Sequence, residues 1–215
     1  MRTLILLLTF VLLSVNNAFA AVGCDLSDPD RDVKRLFPES TGYKTEYVTI
    51  EERGGQELAG QIEAKLGEAL DSFYETLDVP YAFYRVLKGK EVVGYVHGVN
   101  QKGQYGGMQL ILATDLHGKI LEFYYQKISS PEAKQFRDKN FTRNFTGLTL
   151  EDFLALTIPK GSQGVEIQDP SENSQKDFLA TLRGVKKNLI LLDEFVLGNN
   201  SSSVLQEGGN NNADN

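Results

Sequence analysis

The chain has 215 residues, of which 41% are hydrophobic, and its formal net charge at pH 7 is −7. That length suits one domain of ordinary size, and the hydrophobic share is enough for a core but too low for a membrane-embedded helical bundle. The acidic excess argues against binding to nucleic acid, which requires a cationic face.

The N-terminal segment 1–23 is predicted to be an export signal (signal peptide) that does not belong to the fold. One cation, Arg2, precedes an apolar run over 4–15, which is too short for a comfortable membrane span. Two processing outcomes are open. Small residues favour ordinary cleavage after Ala20, whereas the sequence AVGC, which ends at Cys24, resembles a bacterial lipobox with Ala in place of the usual Leu.

Cys24 is the only cysteine in the chain, so an intramolecular disulfide is impossible. Lipidation of Cys24 would explain a lone cysteine in an exported protein, and we predict it; an incidental free thiol is the alternative. Both alternatives place the protein outside the cytoplasm. Lipidation further predicts a periplasmic lipoprotein that is anchored to the membrane.

The composition of the two ends bounds the predicted domain. Residues 24–31 are polar and rich in aspartate, which favours a tether. Residues 199–215 have almost nothing to bury, which favours a disordered tail. One domain over 32–198 is therefore predicted, because no internal repeat or linker interrupts it.

The first half of this domain shows a helix, a strand, a second helix and a hairpin in chain order. A short helical turn is predicted over 32–38, and a strand over 43–52, where apolar and polar residues alternate. Leucine and isoleucine at steps of four predict a helix over 56–70. The segment 80–99 predicts two strands that join at the turn 88–90.

The middle of the chain continues with strands and then changes to helix. Two further strands are predicted over 107–128, joined by a turn in which Gly118 takes a positive φ. A helix is predicted to follow over 129–141, with Ser130 as its N-cap and Pro131 at its first position, where a missing N–H costs nothing.

Capping patterns predict the remaining helices. Thr149 and Asp152 form a capping box ahead of an apolar run. Ser174 precedes a helix whose apolar residues recur every three or four positions up to Val196, so this last helix should be largely buried. Strands in mid-chain with helices on both sides indicate an α+β fold with a mainly antiparallel sheet and a long C-terminal helix.

Several kinds of catalytic and metal site are disfavoured. His97 and His117 each precede a glycine in a strand or a turn, and no second cysteine accompanies them, so no metal site is predicted. The chain has no G-x-S-x-G elbow, no G-x-G-x-x-G motif after a strand and no Walker lysine. A hydrolase that used serines with His97 would lack a carboxylate to orient the base, so no catalytic residue is predicted.

The stretch from Gly103 to Gly107, GQYGG, is unusual for a hairpin turn because three of its five residues are glycine. One interpretation is structural: the glycines adopt positive φ in a bulged turn, and Tyr105 packs on a neighbour. The other is functional: Gly106 and Gly107 leave bare backbone against which a planar or phosphorylated ligand can lie.

This turn and the two strands after it resemble the FMN-binding domain of bacterial redox membrane complexes, which includes the flavin-carrying small subunits of Rnf-type and sodium-pumping quinone reductases. The matching residues run over 103–131, and Phe141, Phe145 and Gly147 are similar to a segment that follows in the family. The resemblance covers roughly residues 86–156. It implies FMN as cofactor and, as its contacts, Tyr105, Gly106, Gly107, Ser130 and Pro131.

The chain departs from the family pattern in two places. The family usually has a Glu-Thr-Pro-Gly-Leu-Gly loop after the second strand, where this chain has Ser-Ser-Pro-Glu-Ala over 129–133. Many members attach FMN to the threonine of a Ser-Gly-Ala-Thr motif, which this chain lacks, so covalent attachment is not expected. Ser171, Ser174 and the first N–H groups of the last helix would instead hold the phosphate of non-covalent FMN, unless the serines only cap the helix.

The resemblance implies one function, and the two departures from the family pattern suggest another. The first is an exported domain that binds FMN and transfers electrons or senses redox state at the outer face of the bacterial membrane, with a membrane redox complex as its partner. Tyr105, Tyr124 and Tyr125 are then candidates to stack on the flavin ring, although tyrosines in strands commonly pack in cores. The second is a scaffold subunit that keeps the fold, has lost the flavin and binds a protein partner.

Overall fold

A computed structural model describes residues 24–71, 75–156 and 167–198 of the chain. The predicted export signal (1–23) and C-terminal tail (199–215) lie outside the described residues. The elements follow one another in the order α1 (Pro29–Leu36), β1 (Gly42–Val48), α2 (Ile50–Arg53), α3 (Gly55–Leu66), β2 (Tyr81–Lys88), β3 (Glu91–Lys102), β4 (Gly107–Thr114), β5 (Ile120–Ile128), α4 (Ala133–Phe136), α5 (Lys139–Thr142), a 3₁₀ turn (Arg143–Phe145), α6 (Leu150–Leu154), α7 (Gln175–Leu192) and a π turn (Asp193–Leu197).

The five strands form one antiparallel sheet in the order β1-β2-β3-β4-β5, so each strand pairs with its neighbour in sequence. Gly89 (φ 65°) and Gly118 (φ 78°) lie in the turns of the two predicted hairpins, where a positive φ is needed. Strands β1 and β5 are the edges. The predicted α+β fold class is confirmed.

Helix α7 covers one face of the sheet and contributes most to the larger core. It begins at Gln175, directly after Ser174, as its periodicity predicted. Gly184 allows the helix to approach the sheet closely, because a Cβ there would lie 2.9 Å from a methyl group of Leu110. The far side of this core holds a chain of edge-to-face and tilted aromatic contacts between Phe123, Tyr125, Phe136, Phe141 and Phe145.

The opposite face of the sheet is covered by the start of the described chain and by α1. Cys24, Leu26 and Val33 are buried against side chains of β2, β3 and β4. The thiol of Cys24 fills the notch above Gly98, where a Cβ would lie 2.8 Å from the sulfur. The segment that composition favoured as a tether therefore contributes two buried side chains to a core.

Several predicted boundaries are wrong, for local reasons. The strand predicted over 43–52 ends at Val48, because Thr49 and Glu52 form a capping box that starts helix α2. The helix predicted over 56–70 ends at Leu66, where Gly67 adopts the left-handed conformation.

The helix predicted over 129–141 is broken into two single turns. Ser130 and Pro131 lie in a turn ahead of it, helix α4 begins at Ala133 after Glu132, and α5 begins after Asp138, whose side chain caps it. The capping box predicted at the start of α6 is confirmed.

Candidate functional site

The glycine turn joins β3 to β4 and is held by its own backbone. The N–H of Gly103 donates to the carbonyl oxygen of Gly106 at 2.9 Å. Gly106 has a φ of 140°, which a residue with a side chain rarely adopts. Gly107 begins β4, in register with Lys102. Tyr105 stands at the tip, and 49% of it is exposed.

The carboxylate of Asp177, in the first turn of α7, docks this turn onto the helix. Its Oδ1 accepts a hydrogen bond of 2.6 Å from the N–H of Gln104. A Cβ at Gly103 would lie 2.7 Å from the same oxygen, so glycine is required for the approach. Asp177 is fully buried, and its Oδ2 has no hydrogen-bond partner in the described part of the chain.

The other side of the turn packs on the end of β5. A Cβ at Gly106 would lie 3.0 Å from the Cβ of Ser129 and 3.2 Å from its Oγ. Of the two glycines predicted to leave bare backbone for a ligand, Gly106 and Gly107, the first is thus approached closely by a side chain of the same chain, as is the neighbouring Gly103. For these positions the structural interpretation of the turn accounts for the sequence.

Glu132 links the turn after β5 to the segment that leads into α7. Its carboxylate accepts hydrogen bonds from the N–H groups of Glu172, at 2.8 Å, and Asn173, at 3.0 Å. The Ser174 hydroxyl is buried and faces this carboxylate without reaching full hydrogen-bonding geometry. The hydroxyl and these N–H groups lower the pKa of Glu132. The Oγ of Ser130 in turn accepts from the N–H of Glu132 at 3.3 Å.

The two serines proposed for a phosphate both have protein neighbours. The Ser171 hydroxyl donates to Asp169 Oδ1 at 2.6 Å. Ser174 occupies the N-cap position of α7, as predicted, but its side chain makes no capping bond; its carbonyl oxygen accepts from Asp177 and Phe178. The Ser171 hydroxyl is therefore occupied, whereas the Ser174 hydroxyl is buried and makes no full hydrogen bond.

Three predicted segments therefore meet: the glycine turn, residues 129–132 and residues 171–177. The predicted tyrosine stack does not form there. The Tyr125 hydroxyl bonds to Thr181 Oγ1 at 2.8 Å within the core, and Tyr124 lies beside α1, with the Arg35 guanidinium 4.5 Å from its ring centroid. Of the three tyrosines, Tyr105 alone belongs to the meeting point.

Sequence reasoning missed the two acidic residues that organise this corner. Asp177 carried one available signal, because it is a charged residue in the first turn of a helix predicted to be buried. Glu132 carried none, since its partners lie about forty residues away, in a segment whose position depends on the tertiary fold.

The residues at the corner do not fit the phosphate of FMN. The N–H groups just ahead of α7 are already bonded to Glu132, and the Gln104 N–H is bonded to Asp177. The carboxylates of Asp177 and Glu132 would repel a phosphate group placed against the turn. Two buried side-chain atoms at the corner lack a full hydrogen bond, Asp177 Oδ2 and Ser174 Oγ. The first is an acceptor and cannot bind a phosphate oxygen, and the second already faces the Glu132 carboxylate.

His97 is a core residue on the α7 side of the sheet. Its ring stacks on Phe83 with 3.9 Å between centroids, and its Nδ1 lies 3.0 Å from Asn188 Oδ1. Burial lowers the pKa of His97 to about 3, so the ring is neutral. Its partner is an amide and not a carboxylate, which gives no support to a hydrolase. Among the described residues, no group of three or more His, Cys, Asp or Glu could hold a metal ion.

Cys24, the predicted lipidation site, is 3% exposed. Burial raises the pKa of its thiol to about 12, so the thiolate that reacts with electrophiles is scarce at neutral pH. None of the helices in the described ranges is long and apolar enough to cross a membrane.

Comparison with known proteins gives a likeness in fold. No protein-family model matches the chain, and no curated protein sequence is significantly similar to it. The fold is similar to that in the crystal structure of NqrC from Shewanella oneidensis, with a TM-score of 0.53 and 12% sequence identity over 86% of this chain and 94% of that chain. At this identity the likeness concerns the fold alone, and it agrees with the FMN-binding-domain-like fold that the turn motif implies.

Proposed function

We propose that this protein is an exported domain with an FMN-binding type of fold that acts as a binding subunit of a membrane complex and carries no flavin at the glycine turn. The observation that carries this proposal is the carboxylate of Asp177, which already occupies the Gln104 N–H of the turn and lies against Gly103. The fold likeness to NqrC supports a membrane redox complex as the partner.

Tyr105 is the residue through which such a subunit would contact its partner. The turn that presents it is rigid, because the backbone bond between Gly103 and Gly106 and the Asp177 carboxylate hold it. Half of the Tyr105 side chain is exposed. Tyrosine is enriched at the energetic centres of protein interfaces, since it supplies a large rigid surface with one polar end.

Non-covalent FMN in an electron-transfer role is the second candidate. The observation that favours it is the convergence of the three segments that the family resemblance assigned to the flavin. FMN would supply the redox chemistry, and the protein would hold it. Binding would require Asp177 and Glu132 to give up their backbone partners, which is a cost that the first candidate does not carry.

One absorption spectrum separates the two candidates. We expect the full-length protein, purified from the exported fraction, to show no flavin bands and to give no heat on titration with FMN. Flavin bands, or FMN binding that Gly106→Val abolishes while Gly60→Val leaves it intact, would establish the second candidate and overturn the first.

A second measurement addresses the partner. Tyr105→Ala is expected to release the protein from its membrane complex, measured by co-purification from solubilised membranes. Tyr47→Ala removes a different exposed tyrosine, which lies on β1, and should not release the protein. Equal retention of both variants would show that Tyr105 is not the contact.

Export and lipidation at Cys24 complete the proposal. Because the thiol lies in the notch above Gly98, acylation would have to occur before this region folds. Mass spectrometry of the membrane fraction tests this: an acylated N-terminal Cys24 is expected, and a mature N-terminus at Ala21 would show ordinary cleavage instead.

A further inference from the structure

A concave region lies along β5, one of the two edge strands of the sheet. It is a cavity of about 850 Å³ whose walls come from α1, from residues 121–125 of β5 and from the segment 137–146. None of its lining residues belongs to the three segments that meet at the glycine turn. We call it the β5 groove. Its volume falls in the range of small-molecule sites, roughly 300–1,000 Å³.

The β5 groove is cationic in an acidic protein. Five of its lining residues are basic and two are acidic. Two of the cations are neutralised: Arg31 pairs with Asp28 and Asp32, and Arg35 pairs with Glu122. The remaining three form no salt bridge within the part of the chain that the structure describes, although the chain as a whole has a net charge of −7; they are Arg137, Lys139 and Arg143.

The three basic residues without a salt bridge come from one short segment. Arg137 follows α4, Lys139 begins α5, and Arg143 follows α5, so two single-turn helices bring their side chains to the same wall. All three residues are exposed. Arginine presents a planar fork of donors that matches the oxygens of phosphate and carboxylate groups.

Tyr124 lines the groove from β5 and has a hydroxyl group. This hydroxyl is buried and lies near the Arg35 guanidinium and the Asp32 carboxylate, but it meets neither at hydrogen-bonding geometry. A buried hydroxyl without a partner is uncommon in folded proteins, because it costs free energy. Arg35 lies over the ring of Tyr124 and is held there by Glu122, so this wall is ordered.

We propose that the β5 groove binds a small organic anion that carries a phosphate or a carboxylate group. Arg137, Lys139 and Arg143 contact the anionic group. The concave shape favours a small molecule over a flat anionic surface, and the excess of positive charge excludes a cationic ligand.

The test uses the full-length exported protein and soluble probes. AMP, citrate and inorganic phosphate are titrated by calorimetry at low ionic strength, with adenosine as the uncharged counterpart of AMP. We expect AMP or citrate to bind and adenosine not to bind. Arg137→Gln with Arg143→Gln should weaken that binding about tenfold or more, since two charge-assisted contacts are lost.

A charge-matched variant distinguishes a site from a general field. Lys44→Gln with Lys90→Gln removes two exposed cations from β1 and the β2–β3 turn and should leave the affinity unchanged. Equal weakening by both double variants would overturn the proposal, as would the absence of binding by all three anions. Binding to phosphatidylglycerol vesicles without binding of any soluble anion would also overturn it, in favour of a membrane contact.

These results are independent of the function proposed for the glycine turn. The flavin spectrum and the Tyr105 variant report on that turn, and the groove variants share no residue with it. Failure of one proposal therefore leaves the other in place.

Discussion

The glycine turn and the β5 groove differ in what their polar groups do. At the turn, Asp177 and Glu132 accept hydrogen bonds from backbone N–H groups, and neighbouring side chains approach the glycines closely. In the groove, three basic side chains have no ionic partner among the described residues. In the region with the recognisable motif, backbone N–H groups are occupied by carboxylates of the same chain, whereas the region without a motif has three basic side chains with no ionic partner among the described residues.

The difference follows from burial. A polar group that leaves water costs free energy unless it finds a partner within the protein, so most buried polar groups are held by structural hydrogen bonds. Exposed cations keep their hydration and can exchange it for a ligand. The same contrast is seen on α7, where the buried Lys187 and the partly buried Arg183 both form ion pairs with the buried Glu75.

The largest effect is expected from the buried ion cluster on α7. Lys187 bonds to Glu75 and donates to the carbonyl oxygen of Asn100 at 2.6 Å. Lys187→Met should lower the free energy of unfolding by about 3–5 kcal/mol, because it leaves Glu75 buried with one partner fewer. Chemical denaturation measures it, with Lys90→Met as the exposed control.

The second residue of that pair sharpens the test. Lys187→Met combined with Glu75→Leu should recover part of the loss, since the unpaired charge is then gone. A cost below about 1 kcal/mol for Lys187→Met alone would show that the buried Glu75 does not depend on Lys187 as its ionic partner.

The glycine turn provides the next prediction. Gly106→Ala places a side chain at a φ of 140° and within 3.0 Å of Ser129 Cβ, so it should cost about 1–3 kcal/mol of stability. Ser129→Gly in the same protein should restore only the steric part. Gly60→Ala, in an open position on α3, is the control and should be neutral or slightly stabilising. A neutral Gly106→Ala would contradict the packing explanation of the turn.

His97 gives a pH dependence of smaller size. Its folded-state pKa of about 3 is below the value of 6.5 for an unperturbed histidine, so between these values the unfolded chain binds a proton that the folded protein does not. Stability therefore falls as the pH falls, and His97 should account for about 1 kcal/mol between pH 7 and pH 5.5.

The measurement is the slope of unfolding free energy against pH. His97→Gln should reduce the slope in that interval, whatever its effect on stability at pH 7. His117→Gln, which changes an exposed histidine, should not. An unchanged slope in His97→Gln would place the protonation elsewhere.

The smallest effect is expected in the groove. Arg137→Gln with Arg143→Gln should change the free energy of unfolding by less than about 0.5 kcal/mol, because neither side chain has a partner to lose. Thermal and chemical denaturation measure it. A large loss would mean that these cations stabilise the fold, and the contrast between the two regions would fail.

Patterns along the chain were sufficient to predict most elements. Alternation and turn glycines placed the two hairpins around Gly89 and Gly118, and the apolar spacing after Ser174 placed α7. The helix expected from Ser130 is absent at that position because the local capping signal competes with Glu132, whose carboxylate bonds to a distant segment. The prediction from local sequence was wrong here because the start of the helix depends on a hydrogen-bond partner that is distant in sequence.

The candidate site was likewise predicted from the sequence only in part. The family resemblance named segments that do meet in space, at Gly106, Ser130 and Ser174. It did not name Asp177 as the residue that occupies the turn. No sequence pattern predicted the β5 groove. Its walls combine Arg35 with Arg137 and Arg143, which lie about a hundred positions further along the chain.

The amino-acid order alone thus specified the α+β class, the hairpins and the buried final helix, because each depends on residues close in sequence and on a simple period. Three-dimensional packing settled which polar groups are satisfied and which are free. Hydrogen bonds and ion pairs form between groups that the fold brings within about 3 Å, and separation along the chain carries no information about that distance.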